Sequence, residues 1–376
     1  MNTSAAPGDV FSTCDAFGPA KIVHVYEPSI GLRGILVVDN VAIGPAIGGL
    51  RMAPDVSLAE CARLARAMTL KNAAAGLPHG GGKSVIFGDP RAPRAEKEQR
   101  IRALACALAD CRDYIFGPDM GTDEQCMAWV RDEIGRAVGL PRELGGIPLD
   151  EIGATGFGVA HAAEVAAGFA GFELQGARFA VQGFGAVGQH AARFLEQRGA
   201  LLVAVSDSRG ALWDPSGLDL RALRALKAEG RSVIDHTKGT RLDADALVDV
   251  ACDVWIPAAR PDVLREDNCA RLRAKVVVSG ANIPITPRAE ALLHAREVLC
   301  VPDFIANAGG VICAALEYRG ASERSVFETI EEKIRANTRA VLEAARREQV
   351  TPAEAAVQLA HDRVRKAMQL RRWSIF

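Results

Sequence analysis

The chain has 376 residues, 49% of them hydrophobic, which suits about two domains with sizeable cores and excludes a disordered protein. Its 45 Lys and Arg nearly cancel its 46 Asp and Glu, so no global field favours nucleic acid or an anionic membrane. Nine cysteines without a C-x-x-C pair point to neither a zinc site nor a disulfide framework; with a start, MNTSAAPGDVFSTCD, that lacks the runs of a leader and no apolar segment of membrane length, a soluble cytoplasmic protein without metal is expected.

The first half reads as α+β. Strands are predicted at Ile22–Tyr26 and Ile35–Val38, then a helix from Leu58 to Ala75, opened by a Ser57/Glu60 capping box and ended near Gly76. Lys71 continues an apolar helical stripe through Leu64 and Met68. After three glycines, Gly80 to Gly82, Lys83 enters the apolar run Val85–Phe87, a short buried strand. Two ammonium groups are therefore expected to face inward, beside bare backbone that a small ligand can approach. Burial without a counter-charge is costly and lowers a lysine's pKa; snorkelling to solvent along an apolar stem is the competing reading. A further helix is predicted at Glu96–Leu108, and Gly145-Gly146-Ile147-Pro148 marks a boundary.

Beyond it, strand and helix alternate. Strands are predicted at Arg178–Gln182, Leu201–Ser206, Asp253–Ile256, Lys275–Ser279 and Val298–Val301, with a helix at Ala186–Arg198, which argues for a doubly wound parallel sheet. Between the first strand and that helix stands Gly183-Phe184-Gly185-Ala186-Val187-Gly188. The first glycine permits a tight turn, the second lets backbone approach a pyrophosphate, and the third lets helix and strand pack. Asp207 ends the next strand, where an acid holds ribose hydroxyls. Its charge favours NAD over NADP, and Arg209 softens that preference. The tail from Gly320 is predicted helical to Arg365, with a new helix starting at Pro352. The basic end, Arg363 to Arg372, reads as the complement of a helix C-terminus rather than a polyanion site.

These motifs in this order resemble the amino acid dehydrogenases of the glutamate, leucine, phenylalanine and valine dehydrogenase superfamily. The segments that carry the resemblance, from about Val41 to about Tyr318, are GPAIGGLRM, MTLKNAAAGLPHGGGKSV, GPDMGT, ATGFGV, VQGFGAVG, AVSDSRG, IPAA, SGAN and PDFIANAGGV. The resemblance implies an α/β protein: an α+β substrate-binding and oligomerisation domain over 1–148, a Rossmann-type NAD(P) domain over 149–320, and helices over 321–376 packing back toward the first domain. It implies reversible oxidative deamination of an L-amino acid to a 2-oxo acid and ammonia, by a homo-oligomer. Lys71 would bind the substrate α-carboxylate, Lys83 would activate water and Asp119 would relay protons. Asn282 and Asn307 match positions near the nicotinamide and the substrate amino group. Thr155, and Ala258 of the IPAA segment, match the cofactor side.

Glutamate dehydrogenases place a lysine just before the GG-x-R segment and a serine late in the NAGG helix, where this chain has Ile47 and Ala314. With Gly117 and Val311 these would line an apolar pocket, so the expected substrate is a large apolar amino acid of the phenylalanine or leucine/valine type. Alternatives are a glutamate dehydrogenase, with Arg51 as the nearest candidate cation for the side-chain carboxylate, an enzyme for an unusual amino acid, and a catalytically silent NAD-binding homologue. Retention of Lys71, Lys83 and Asp119 together argues against the last.

Overall fold

The computed structural model describes residues 11–370, so the first ten residues, with most of the leader reading, and Arg371 and Arg372 lie outside the description. The described chain forms two compact units. One takes everything up to Pro148, together with Ala314–Ser322 and the stretch from Ala360; the other takes Leu149–Cys313 and Glu323–Leu359. Among the described residues no helix is long and apolar enough to cross a membrane, and no disulfide joins the nine cysteines, six of which are buried.

In the first unit β1 (Lys21–Glu27), β2 (Leu32–Asn40) and β3 (Ala46–Ala53) precede α1 (Leu58–Ala74); β4 (Gly80–Phe87), α2 (Arg94–Ala107), β5 (Tyr114–Pro118) and α3 (Glu124–Ile134) follow. The sheet runs β1-β2-β4-β3-β5, with β2 antiparallel to β4, and β3 parallel to both β4 and β5. One cluster joins Leu36, Leu50, Met52 and Ile86 of the sheet to Ile101 and Leu104 of α2 and Met127 and Val130 of α3. Another joins Ile35, Val37 and Val85 to Cys61 and Ala65 of α1. Side chains alternate along a strand, so Lys83 shares the α1 side with Val85.

Three expectations change here. The triple glycine is not bare backbone open to a ligand but the first half of β4, fully buried. An added Cβ would stand 1.8 Å from Asn40 O at Gly80, 1.9 Å from Thr69 N at Gly81 and 2.8 Å from the Tyr114 ring at Gly82. Glycine is required because α1 and the neighbouring strands press against β4, not because a ligand approaches. The buried stripe of α1 is Cys61, Ala65, Thr69 and Asn72; Leu64, Met68 and Lys71 lie half-buried on its flank, so only Lys83, 5% exposed, is inside. Ser57 Oγ accepts from Glu60 N at 3.2 Å, but the Glu60 carboxylate binds Arg51 instead of completing the capping box.

The second unit opens with α4 (Leu149–Ile152) and α5 (Ala154–Phe169), then β6 (Arg178–Gln182), α6 (Ala186–Glu196), β7 (Leu201–Asp207), β8 (Gly210–Trp213) and α7 (Leu220–Ala228). It continues with β9 (Thr240–Leu242), β10 (Val254–Pro257), β11 (Val276–Val278), α8 (Pro287–Ala295), β12 (Leu299–Val301), α9 (Asp303–Ala306) and α10 (Gly309–Glu317), in which the division between units falls. The sheet order is β12-β11-β10-β6-β7-β8-β9. Five strands are parallel, and β8 and β9, not anticipated, extend the edge antiparallel. The order reverses at β6, flanked by β7 and β10, which creates a switch point at the carboxyl end of the sheet.

The tail does not return to the first unit as a block. Helix α11 (Glu323–Glu348) packs on α5 and buries Val326, Ile330, Ile334, Val341 and Leu342, enough apolar surface to hold it in the second unit. Helix α12 (Pro352–Leu370) changes unit at Ala360. In the first unit Arg363 Nη1 donates to Ala73 O and Ala74 O at 3.0 and 2.7 Å. Its positive charge therefore complements the C-terminus of α1 rather than that of its own helix.

Candidate active site

The first unit brings Lys83 and Asp119 together. Lys83, on β4, places Nζ 2.8 Å from Asp119 Oδ2, just past the end of β5. The turn that carries Asp119 is fixed by Thr122, whose hydroxyl donates to Leu50 O at 2.7 Å and accepts from Asp119 N at 3.0 Å. Burial lowers the pKa of Lys83; Asp119 opposes this, and Arg51 adds to it. For Asp119 burial acts upward, but Lys83 and Arg51 outweigh it and hold the carboxyl below its ordinary range. The cation that assists burial in depressing Lys83 is thus Arg51.

Arg51 already holds two carboxylates: Nε donates to Asp119 Oδ2 at 2.7 Å and Nη1 to Glu60 Oε1 at 2.6 Å. Two carboxylates already claim the one guanidinium considered as a receptor for a substrate side-chain carboxylate. Gly49 pairs with Gly117 of β5, and an added Cβ on Gly49 would meet Asp119 Cβ at 2.7 Å and Lys83 Nζ at 3.1 Å. Ile47, 5% exposed, lies two residues along the same face of β3, about 6.6 Å away at strand rise. At Gly117 an added Cβ would find only ordinary contacts, Val138 Cγ2 at 3.4 Å being nearest, so the position leaves room. Lys71 sits half-buried in the last turn of α1, and Ala314 half-buried on α10.

That end of α10 is anchored by a residue the sequence reading passed over. Glu317, 8% exposed, accepts from Gly139 N, Leu140 N and Ile147 N at 2.8, 3.1 and 2.9 Å. Burial nonetheless raises its pKa, against the pull of those three donors.

In the second unit the cofactor candidates gather at the carboxyl edge of the sheet. Gly183 adopts φ +96°, and a Cβ on Gly188 would stand 2.0 Å from Gly183 O. A Cβ on Gly185 would meet nothing within 4 Å, so the backbone there is open. Ala186, Val187 and Gly188 form the first turn of α6, whose orphan N–H groups attract phosphate. Gly280 packs against Val187 and Ala258, and Ala258 N donates to Gln182 O at 2.7 Å. A cleft of about 640 Å³ runs past Gly183, Gly185, Asp207, Lys227 and Ala258.

Asp207 is more occupied than its position in the sequence suggests. It accepts from Arg209 N, Lys227 Nζ, Ser232 Oγ and Val233 N at 2.8–3.0 Å. Burial opposes its charge, but these donors keep the carboxyl below its ordinary range. The Arg209 guanidinium is turned to Asp235, at 3.4 Å. Asn307 Nδ2 donates to Asn282 Oδ1 at 3.0 Å, while Asn307 Oδ1 and Gln182 Oε1 are buried without a partner among the described residues. Two buried acceptors, an open glycine and a helix N-terminus fit a dinucleotide with an amide-bearing ring. Thr155, in the first turn of α5, lies where a Cβ on Gly310 would meet its hydroxyl at 3.0 Å; Val311 follows, half-buried.

Residues 145–372 match the family model described as glutamate/leucine/phenylalanine/valine dehydrogenase, and residues 19–136 the dimerisation domain of the same family. An NADP(+)-dependent glutamate dehydrogenase from Pyrobaculum calidifontis is 41% identical over 304 residues, covering 76% of this chain and 72% of that protein. An NAD-specific glutamate dehydrogenase from Staphylococcus aureus is 35% identical over 355 residues, covering 89% and 85%. Among solved structures, the hetero-hexameric glutamate dehydrogenase of Thermus thermophilus, in a leucine-bound form, superposes with a TM-score of 0.82 at 32% identity, over 95% of this chain and 91% of that one. The chain belongs to the glutamate/leucine/phenylalanine/valine dehydrogenase family and is an NAD(P)-dependent amino acid dehydrogenase.

Proposed function

We propose that the chain catalyses reversible oxidative deamination of an L-amino acid to its 2-oxo acid and ammonia, with Lys83 as the base and Asp119 as the proton relay. The observation that carries this reading is the lysine itself: 5% exposed, with a pKa depressed by burial and with one carboxylate at 2.8 Å. A buried amine of this kind can be neutral near working pH, as removal of a proton from water demands. NAD(P), when bound, would supply the acceptor for the hydride that leaves the substrate Cα. Lys83 then takes a proton from the water that attacks the iminium carbon. Asp119 carries protons to and from the substrate nitrogen, and Lys71 binds the α-carboxylate. Asn282 and Asn307 orient the carboxamide and amino groups. Gly183, Gly185 and the first turn of α6 would hold the pyrophosphate, Asp207 the adenosine ribose, and Thr155 and Ala258 would be on the cofactor side.

On the substrate, relatives and side chains disagree. The named relatives are glutamate dehydrogenases, which supports glutamate better than the apolar amino acid expected from the sequence. Against this stands one local observation. Ile47 is buried on the strand face of Lys83, and Arg51, the nearest alternative cation, already pairs with Asp119 and Glu60. A second substrate carboxylate placed there without a partner would cost several kcal/mol. Our proposal follows the side chains: an apolar L-amino acid, with Ile47, Gly117 and Ala314 of the first unit lining its pocket, and glutamate as the second reading. Assembly with copies of itself through the first unit is part of the same proposal.

Two experiments test it. Lys83→Ala is expected to abolish turnover while NAD binding persists, and near wild-type turnover would remove Lys83 from the chemistry. Initial rates with NAD and NADP across glutamate, leucine, valine, phenylalanine and tryptophan decide the substrate; preference for glutamate would overturn the apolar reading.

A further inference from the structure

Asp119 is held by two cations at the same oxygen. Lys83 Nζ and Arg51 Nε approach Oδ2 at 2.8 and 2.7 Å, while Oδ1 accepts no hydrogen bond among the described residues. Arg51 is anchored on its other edge by Glu60 at 2.6 Å, in the first turn of α1. The guanidinium is itself largely withdrawn from water, its side chain 16% exposed. Burial acts to lower its pKa, but Asp119 and Glu60 prevail and raise it.

We propose that Arg51, anchored by Glu60, is a positioning residue for Asp119. It clamps Oδ2, leaves Oδ1 for the substrate nitrogen, and keeps the carboxylate ionised through the part of the cycle in which Lys83 is neutral. This rests on the reading of Asp119 as the proton relay.

The need for such a residue follows from charge balance. When Lys83 loses its proton, Asp119 loses one of its two counter-charges and its affinity for a proton rises. A carboxylate that captured that proton could not take one from the substrate ammonium. Arginine does not deprotonate in this range, so one cation stays on Oδ2 throughout. Two buried titratable groups beside the pair do not substitute for it. Cys61 of α1, whose Sγ donates to Lys83 O at 3.3 Å, has its thiol pushed up by burial to about 12. Tyr114 of β5, hydrogen-bonded to Gly48 O at 2.7 Å, is likewise raised by burial and stays neutral. Glu60 is an anion and acts only through Arg51.

The test is the pH profile of kcat/KM, measured with Arg51→Met, Arg51→Lys, Glu60→Gln and Asp119→Asn, each checked for an unchanged melting temperature and for NADH binding. Loss of the permanent cation raises the pKa of both Lys83 and Asp119. Arg51→Met is therefore expected to move the low-pH limb upward by about one unit or more and to lower kcat at least about tenfold, with little change in KM. Arg51→Lys restores the charge and should return the limb toward wild type. Glu60→Gln keeps the cation but loosens its anchor, so it should lower kcat without moving the limb. A profile of Arg51→Met superimposable on wild type overturns the proposal. Should the Arg51 variants not fold, an unchanged kcat in Glu60→Gln overturns it instead. Near wild-type turnover in Asp119→Asn would sink the relay reading itself, an outcome separate from any behaviour of Arg51.

Discussion

Replacing Ile47 by lysine separates the two substrate readings at a single atom group. Ile47 is 5% exposed, and the face it shares with Gly49 adjoins Lys83 and Asp119. If a substrate side chain rests on it, the lost apolar contact is at most the burial of one isoleucine, about 1.5–3 kcal/mol. At about 1.4 kcal/mol per decade this lowers kcat/KM for leucine or phenylalanine by about 10- to 140-fold. For glutamate the same change supplies the missing counter-charge, so kcat/KM rises. The ratio of apolar to glutamate efficiency should therefore fall by about one to two decades from the apolar loss, and further by any gain for glutamate. The assay is initial-rate NADH formation with saturating NAD and varied amino acid, together with thermal melting to show that the buried ammonium has not unfolded the first unit. A folded Ile47→Lys enzyme with an unchanged ratio would place Ile47 outside the pocket, and the argument from its burial would fall with it.

Two further outcomes follow from the packing. Gly81→Ala puts a methyl 1.9 Å from Thr69 N and 2.5 Å from its Oγ1, so α1 must move off β4. We expect a loss of about 1–3 kcal/mol in stability by denaturant melting and, as water reaches Lys83, a low-pH limb of kcat/KM displaced upward; an unshifted limb would show that burial by α1 does not set the lysine. In the second unit His161 is 3% exposed. Burial, and then Arg198, whose Nη2 lies 2.7 Å from its Nε2, lower its pKa from 6.5 to about 4. The unfolded chain binds this proton near pH 6.5, whereas the folded chain resists it until about pH 4, so stability is full above that window and falls as pH drops through it. Melting temperatures at pH 7 and pH 5 for wild type and His161→Gln check this: the variant should lose less on acidification, and an equal loss in both would assign the acid sensitivity elsewhere.

The second unit was largely legible because its side chains repeat what its backbone does. Arg178–Gln182 and Leu201–Asp207 are apolar runs closed by Gly183 and Asp207, and both ends fall where the motif put them. The first unit was legible only in part. Strand β3 carries Gly48-Gly49 in its middle and β4 begins with three glycines, so neither shows the alternation that betrays a strand. A Cβ on Gly48 would lie 1.8 Å from Gly82 O, which explains the residue but leaves no periodic signal. Pairing was harder still. Arg51 could be read as a free cation because its two partners are 9 and 68 residues away in sequence, and nothing in the local pattern selects Glu60 or Asp119 over another acid. Asp207 was placed correctly at the end of its strand, yet Lys227, Ser232 and Val233, which donate to its carboxylate, come from a segment that carries no motif.

The glycines and the chemistry belong to one argument. A lysine can act as a base at ordinary pH only if something denies it water, and apolar side chains alone do this poorly for a group with a long stem. Here the denial comes from backbone. Gly80, Gly81 and Gly82 let β2, α1 and Tyr114 close on the first half of β4 to distances that no side chain would permit, and Lys83 is the next residue along. Burial is accordingly the first cause of its lowered pKa. Full burial without compensation would neutralise the pair or unfold it, so Asp119 supplies an anion and, on the proposed roles, Arg51 would keep a cation beside it when the lysine's proton leaves. The segment GGGK thus encodes the desolvation of its own lysine, and on the proposed roles the R of GGLR encodes the charge that would let the neighbouring carboxylate tolerate the lysine's change of state.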